Sequence, residues 1–131
     1  EDFDEAARWY RLAAEQGDRR GTYNLGLCYQ RGRGVERDLE QAVKWIRLAA
    51  EKGCDDAQTS LGHCYYSGEG VPEDRAEAAR WYQKAAAQGH EQAKMTLEIG
   101  FNEQGEAVET DMAKKVRVYR EGAEKGHAYM Q

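Results

Sequence analysis

Proline is almost missing from this chain: Pro72 is the only one in 131 residues, so the commonest helix breaker acts at a single point. An excess of basic charge is missing too. Lys and Arg number 19 against 24 Asp and Glu, for a net charge of −5. A duplex binder needs a basic stripe to displace counterions from phosphate, so no nucleic acid is expected as a partner. No apolar run approaches the roughly 20 residues that span a bilayer, which argues against direct membrane insertion. The three cysteines and three histidines show no paired Cys-x-x-Cys or His-x-x-x-His spacing, so no metal site and no cofactor is expected. There is no nucleophile elbow, no phosphate loop and no acid/base cluster standing outside the pattern described next.

What is present is repetition. Gly17, Gly53 and Gly89 are 36 residues apart, and the same step relates Trp9, Trp45 and Trp81, and Leu25, Leu61 and Leu97. Ala13-Ala14 returns as Ala49-Ala50 and Ala85-Ala86; Gly32-x-Gly34-Val35 returns as Gly68-x-Gly70-Val71. A last copy is offset by 37, with one residue inserted near Asn102 to Gln104. Such self-similarity marks a stack of identical supersecondary units.

Each unit reads as two helices. In the second full unit the first helix runs roughly over 57–66, with Ala57, Leu61, Gly62 and Tyr65 on one face at helical spacing. Gly62 lacks a Cβ and admits the partner helix closely. The stretch 67–73, with two glycines and Pro72, forms the turn. Asp38 and Asp74 stand at N-cap positions with Gln41 and Glu77 three residues on, and Asp2 with Glu5 repeats the pattern. Trp81, Tyr82, Ala85 and Ala86 form the buried face, and Gly89 ends the helix. One hairpin cannot bury both its faces, so the units stack, each touching mainly its neighbours. On this reading truncating any of the three tryptophans costs about 3–5 kcal/mol. The chain is expected to be an all-α solenoid of antiparallel helix-turn-helix repeats. Its expected divisions are 1–16 (a second helix alone), 17–52, 53–88, 89–125 (a degenerate repeat) and 126–131 (the start of another), cut from a longer array.

The run Ala57-x3-Leu61-Gly62-x2-Tyr65-x2-Gly68-x-Gly70-Val71-x2-Asp74-x3-Ala78-x2-Trp81-Tyr82-x2-Ala85-Ala86-x2-Gly89 resembles the Sel-one-like repeat, a relative of the tetratricopeptide repeat with a longer turn between its helices. The resemblance covers nearly the whole chain. It implies a right-handed superhelix whose first helices line a concave surface. It also implies adaptor or scaffold work: signalling complexes, envelope assemblies, protein quality control, or bacterial contact with host proteins. The last copy departs from the pattern: Glu98 replaces the Gly62 type, Val118 the Trp81 type, and Ala107 stands where Gly70 would fall. That hairpin is expected to pack less regularly.

Cys28 and Cys64 occupy equivalent positions one unit apart. Equivalent helices in adjacent layers lie roughly 8–10 Å apart, beyond the roughly 7 Å limit for Cα atoms of a disulfide. They read as small buried apolar side chains, Cys54 as a loop residue, and the three lean towards a reducing compartment. The family resemblance also allows a bacterial periplasm, so localisation stays open, as does oligomeric state. Some bacterial members tie each hairpin with a cysteine pair, which this sequence lacks. Members labelled β-lactamases make a penicillin-binding hydrolase the enzyme alternative. That chemistry needs a serine with Lys three residues on, but Ser60 and Ser67 are followed by His63 and Gly70. The expected function is non-catalytic binding of a protein or peptide; a spacer or assembly element of a larger protein is the alternative.

The candidate site is the face of the first helices turned away from the second. With Leu61, Gly62 and Tyr65 inward, that face carries Thr59, His63 and Tyr66. The matching positions are Tyr23, Leu27 and Gln30 one unit earlier, and Met95, Ile99 and Asn102 one unit later. Tyr23, Leu27, Met95 and Ile99 are apolar where a solvated face would carry Glu or Lys, and exposed apolar patches mark interaction sites. Arg20 and Arg31 flank the strip and can grip a carboxylate. Packing of Leu27 and Ile99 between repeats is the competing account of the same residues.

Overall fold

A computed structural model describes residues 2–100, and among them every regular element is an α-helix. The order is α1 (Asp2–Glu15), α2 (Arg19–Arg31), α3 (Leu39–Glu51), α4 (Asp55–Ser67), α5 (Arg75–Ala87) and α6 (Glu91–Gly100). Each helix packs mainly on the one before and the one after it, which is the connectivity of a solenoid. First helices of the repeats are α2, α4 and α6; second helices are α1, α3 and α5. Asn102, Ala107 and Val118, and the hairpin expected to contain them, lie outside the described residues.

The helix ends follow from the side chains at them. Asp38 and Asp74 sit in extended backbone, and each carboxylate accepts from the amide three residues on, Gln41 and Glu77. That satisfies one of the donors a helix start leaves open. Asp18 does the same for Gly21. Asp2 is already helical rather than a cap. At the other ends, Gly32 and Gly68 are left-handed caps that donate to the carbonyls of Cys28 and Cys64, as C-terminal glycines do.

Two glycines set how closely elements approach. A Cβ at Gly62 would fall 2.6 Å from the Tyr82 ring, and one at Gly26 would fall 2.7 Å from Ile46. The expectation that this position admits the partner helix therefore holds in both repeats.

The core runs from α3 through α4 to α5: Ala42, Ile46, Ala49, Ala57, Leu61 and Trp81 are among its buried members. The tryptophans are not equivalent. Trp81 is 6% exposed, Trp45 is half-buried and Trp9 is 65% exposed. Trp81 packs into the cluster built by α3 and α4, whereas among the described residues no helix covers the outer side of α1. The expectation that all three carry equal weight is corrected accordingly.

Cys28, Cys54 and Cys64 are all buried and unbridged. Cys54 starts α4 without a side-chain cap bond and is buried rather than loop-exposed. Burial pushes the Cys28 thiol up and the Cys64 thiol up to about 11, which keeps thiolate scarce. Native iodoacetamide treatment is expected to leave all three unmodified over the time in which a denatured sample is fully alkylated, read by mass spectrometry. A Cys28–Cys64 bridge, or fast native labelling, would contradict this packing.

Candidate functional site

Adjacent first helices are joined by polar contacts that set the phase of each one. Tyr23 Oη lies 2.9 Å from Ser60 Oγ, and Arg20 donates to Asp56 at 2.9 Å, both linking α2 to α4. Thr59 Oγ1 lies 3.1 Å from His90 Nδ1, linking α4 to the start of α6. His90 also meets Asp56 Oδ1 at 2.8 Å through Nε2 and accepts from the Ala93 amide, so it caps α6. The Asp56 carboxyl is held below the usual carboxylate range by its hydrogen bond to His90, and next by Arg20, against some desolvation.

These contacts correct part of the expected strip. Position 23 and its equivalent 59 turn towards the next first helix, not outward. Tyr23 is half-buried. Thr59 is 2% exposed and bonded to Asp55 and His90, so it packs between repeats. Arg20 is engaged with Asp56, although that pair is exposed on both sides and contributes at most about 1 kcal/mol. Its guanidinium also lies over the Tyr23 ring.

The remaining residues are placed as follows. Leu27 is half-buried and lines a cleft of about 220 Å³ between α1 and α2, together with Phe3, Tyr10, Arg31 and Arg33. Gln30 is half-buried, and its carbonyl accepts from Arg37. Arg31 is exposed. His63 and Tyr66 are exposed side by side on α4, Met95 and Ile99 on α6, at 62% and 65% for the last two. Of the apolar residues singled out, Leu27 is thus partly packed while Met95 and Ile99 are open.

Two features were missed in the sequence. Tyr82, assigned to the core, is buried yet sends its hydroxyl past Gly62 to His63 Nδ1 at 2.6 Å. Nothing in the spacing signals that, because Ile46 fills the same position one repeat earlier. The inter-repeat pairs did leave a trace. Arg20 and Asp56 hold opposite charges at one repeat position, and Arg11 with Tyr29 recurs as Arg47 with Tyr65. In both of the latter pairs the guanidinium donates to the phenol oxygen and ties a second helix to the first helix that directly follows it.

Among the described residues no three His, Cys, Asp or Glu side chains converge as a metal would need. Nor is any helix there long and apolar enough to cross a membrane. Ser60 faces a tyrosine hydroxyl, not a base.

Comparison with known proteins agrees with this geometry. The family model described as Sel1 repeat matches residues 1–18, 20–54 and 55–90. A Sel1 repeat protein from Oxalobacter formigenes is 48% identical, covering 72% of this chain and 71% of that one, with a TM-score of 0.70. A protective antigen of uropathogenic Escherichia coli strains, displaying an SLR fold, is 39% identical with a TM-score of 0.76. It covers 98% of this chain, which spans 27% of that one. Helicobacter pylori cysteine rich protein B is 28% identical, covering 70% of this chain and 68% of that one, with a TM-score of 0.67. A search of curated proteins found no match.

Proposed function

The chain belongs to the Sel1 repeat family, and from that premise we propose that it is a non-catalytic scaffold that binds a protein or peptide on the concave side of its first helices. The observation that carries the reading is the open strip on α4 and α6. His63, Tyr66, Met95 and Ile99 are exposed there, where a merely solvated helix face carries Glu or Lys. Leu27, with Arg31 beside it, extends the strip onto α2, and Gln30 and Asn102 complete it in the sequence register. Tyr23, Thr59 and Arg20 support it from below by joining the helices.

Aromatic and aliphatic anchors dominate binding energy at such surfaces, so Tyr66→Ala and Ile99→Ala are each expected to weaken partner binding by about 1–2 kcal/mol. Urea midpoints should stay close to wild type, since exposed substitutions change stability by about 0.5 kcal/mol or less. Tyr23→Ala behaves differently: it removes the bond to Ser60 and lowers stability itself. Intact binding by both exposed variants would reject the strip.

A second reading has its own observation. Phe3, Trp9 and Leu12 are exposed on α1, an apolar face suited to an assembly element that stacks another unit against this helix. It predicts that Trp9→Ala, not Tyr66→Ala, disrupts association.

A further inference from the structure

We infer that His63 is a hydrogen-bond donor of fixed orientation, positioned by Tyr82, and that it takes a main-chain carbonyl of an extended, basic protein segment. The inference rests on the binding reading above and names the chemistry of the segment bound there.

The Tyr82 ring lies against the open side of Gly62, and its hydroxyl emerges beside His63, 2.6 Å from Nδ1, with the two rings edge to face at 5.2 Å. A phenol is a stronger donor than acceptor, and the unprotonated nitrogen of a neutral imidazole is the stronger acceptor of the pair. We therefore assign Tyr82 Oη as donor and Nδ1 as acceptor, which leaves the proton of the neutral imidazole on Nε2. Partial desolvation of the ring where Tyr82 packs against it holds the imidazole below its ordinary value; of the charged groups facing it, Glu69 opposes that and His90 reinforces it. Nε2–H has no acceptor among the described residues, although His63 is exposed. One repeat earlier Leu27 and Ile46 hold the two positions, so packing alone does not require the hydroxyl or the imidazole.

The surroundings select the acceptor. Residues 53–88 carry six acidic and three basic side chains, against five and eight in 17–52. One of the three, Arg75, is stacked over the Tyr66 ring at 4.8 Å. Beside Glu69 a carboxylate or phosphate is repelled, while a neutral carbonyl is not and a neighbouring Lys or Arg of the partner is attracted. Tyr66, exposed next to His63, adds aromatic surface for the same segment.

Two measurements on the full chain test this. Long-range proton–nitrogen correlation NMR is expected to show His63 protonated at Nε2 alone, and Tyr82→Phe to mix the two tautomers without unfolding the protein. Protonation at Nδ1 in the wild type overturns the assignment. A phage-displayed random peptide library selected on the chain is expected to enrich Lys- and Arg-containing sequences. For the chosen peptide, His63→Phe should weaken affinity about tenfold, and His63→Gln, whose amide nitrogen replaces Nε2, should restore most of it. A peptide sensitive to Tyr66→Ala but not to His63→Phe, or one enriched in acidic residues, overturns the inference and leaves the binding surface standing. Peptides insensitive to both substitutions, or no enrichment, remove the surface and the inference together.

Discussion

Trp81→Ala is expected to destabilise the chain by about 3–5 kcal/mol, as truncations of buried large side chains do, while Trp9→Ala changes stability by about 0.5 kcal/mol or less. The two occupy one position of the repeat, so the difference isolates packing. Trp81 is inserted among Val43, Ile46, Leu61 and Cys64, with the Lys84 ammonium 4.3 Å from its ring centroid. Trp9 has no such pocket among the described residues. Urea unfolding of both variants decides the matter, and a third variant sharpens it. The Trp81 indole N–H is buried without an acceptor among the described residues. Trp81→Phe therefore removes a buried unsatisfied donor, which offsets part of the lost packing, and it should fall well short of the alanine variant. Equal losses for Trp9→Ala and Trp81→Ala would show that the outer side of α1 is covered.

Gly70→Ala is the second large effect, about 2–5 kcal/mol. Gly70 has φ +74°, and a Cβ there would lie 2.4 Å from the Leu39 carbonyl oxygen and 2.7 Å from Val43 Cγ2. Left-handed backbone costs a residue with a Cβ about 1–2 kcal/mol, and forcing atoms into a filled space adds about 1–3 kcal/mol. The obstacle is backbone, which cannot turn aside as a side chain can. Gly68 is the control. Its φ is +73°, but a Cβ there meets nothing nearer than 3.4 Å, so Gly68→Ala should show the conformational cost alone. Similar losses at 68 and 70 would mean that the turn does not seat on α3 as described.

Gly70 also shows what could be read in advance. The Gly-x-Gly-Val recurrence identified the turn, but not that its second glycine touches the preceding second helix. Distances across a stack are not encoded in spacing along the chain. The hairpins, the caps at Asp38 and Asp74 and the close approach at Gly62 were legible because each depends on residues within one unit. The unequal tryptophans were not, because their burial depends on what lies beside the unit. The same reason explains the site. Periodicity placed His63 and Tyr66 on the outward face. It could not separate them from Thr59, which a single helical step turns onto His90, or connect His63 with a tyrosine hydroxyl 19 residues on.

The claim at the centre of this account is that partners bind on the first-helix face. Site-specific photocrosslinking tests it most directly, with benzoylphenylalanine placed at Tyr66 and, separately, at Lys44, which is exposed on second helix α3. The account predicts that position 66 traps a discrete partner, that Ile99→Ala reduces the trapping, and that position 44 traps none. Trapping of that partner from position 44 alone would contradict it and place recognition on the second helices.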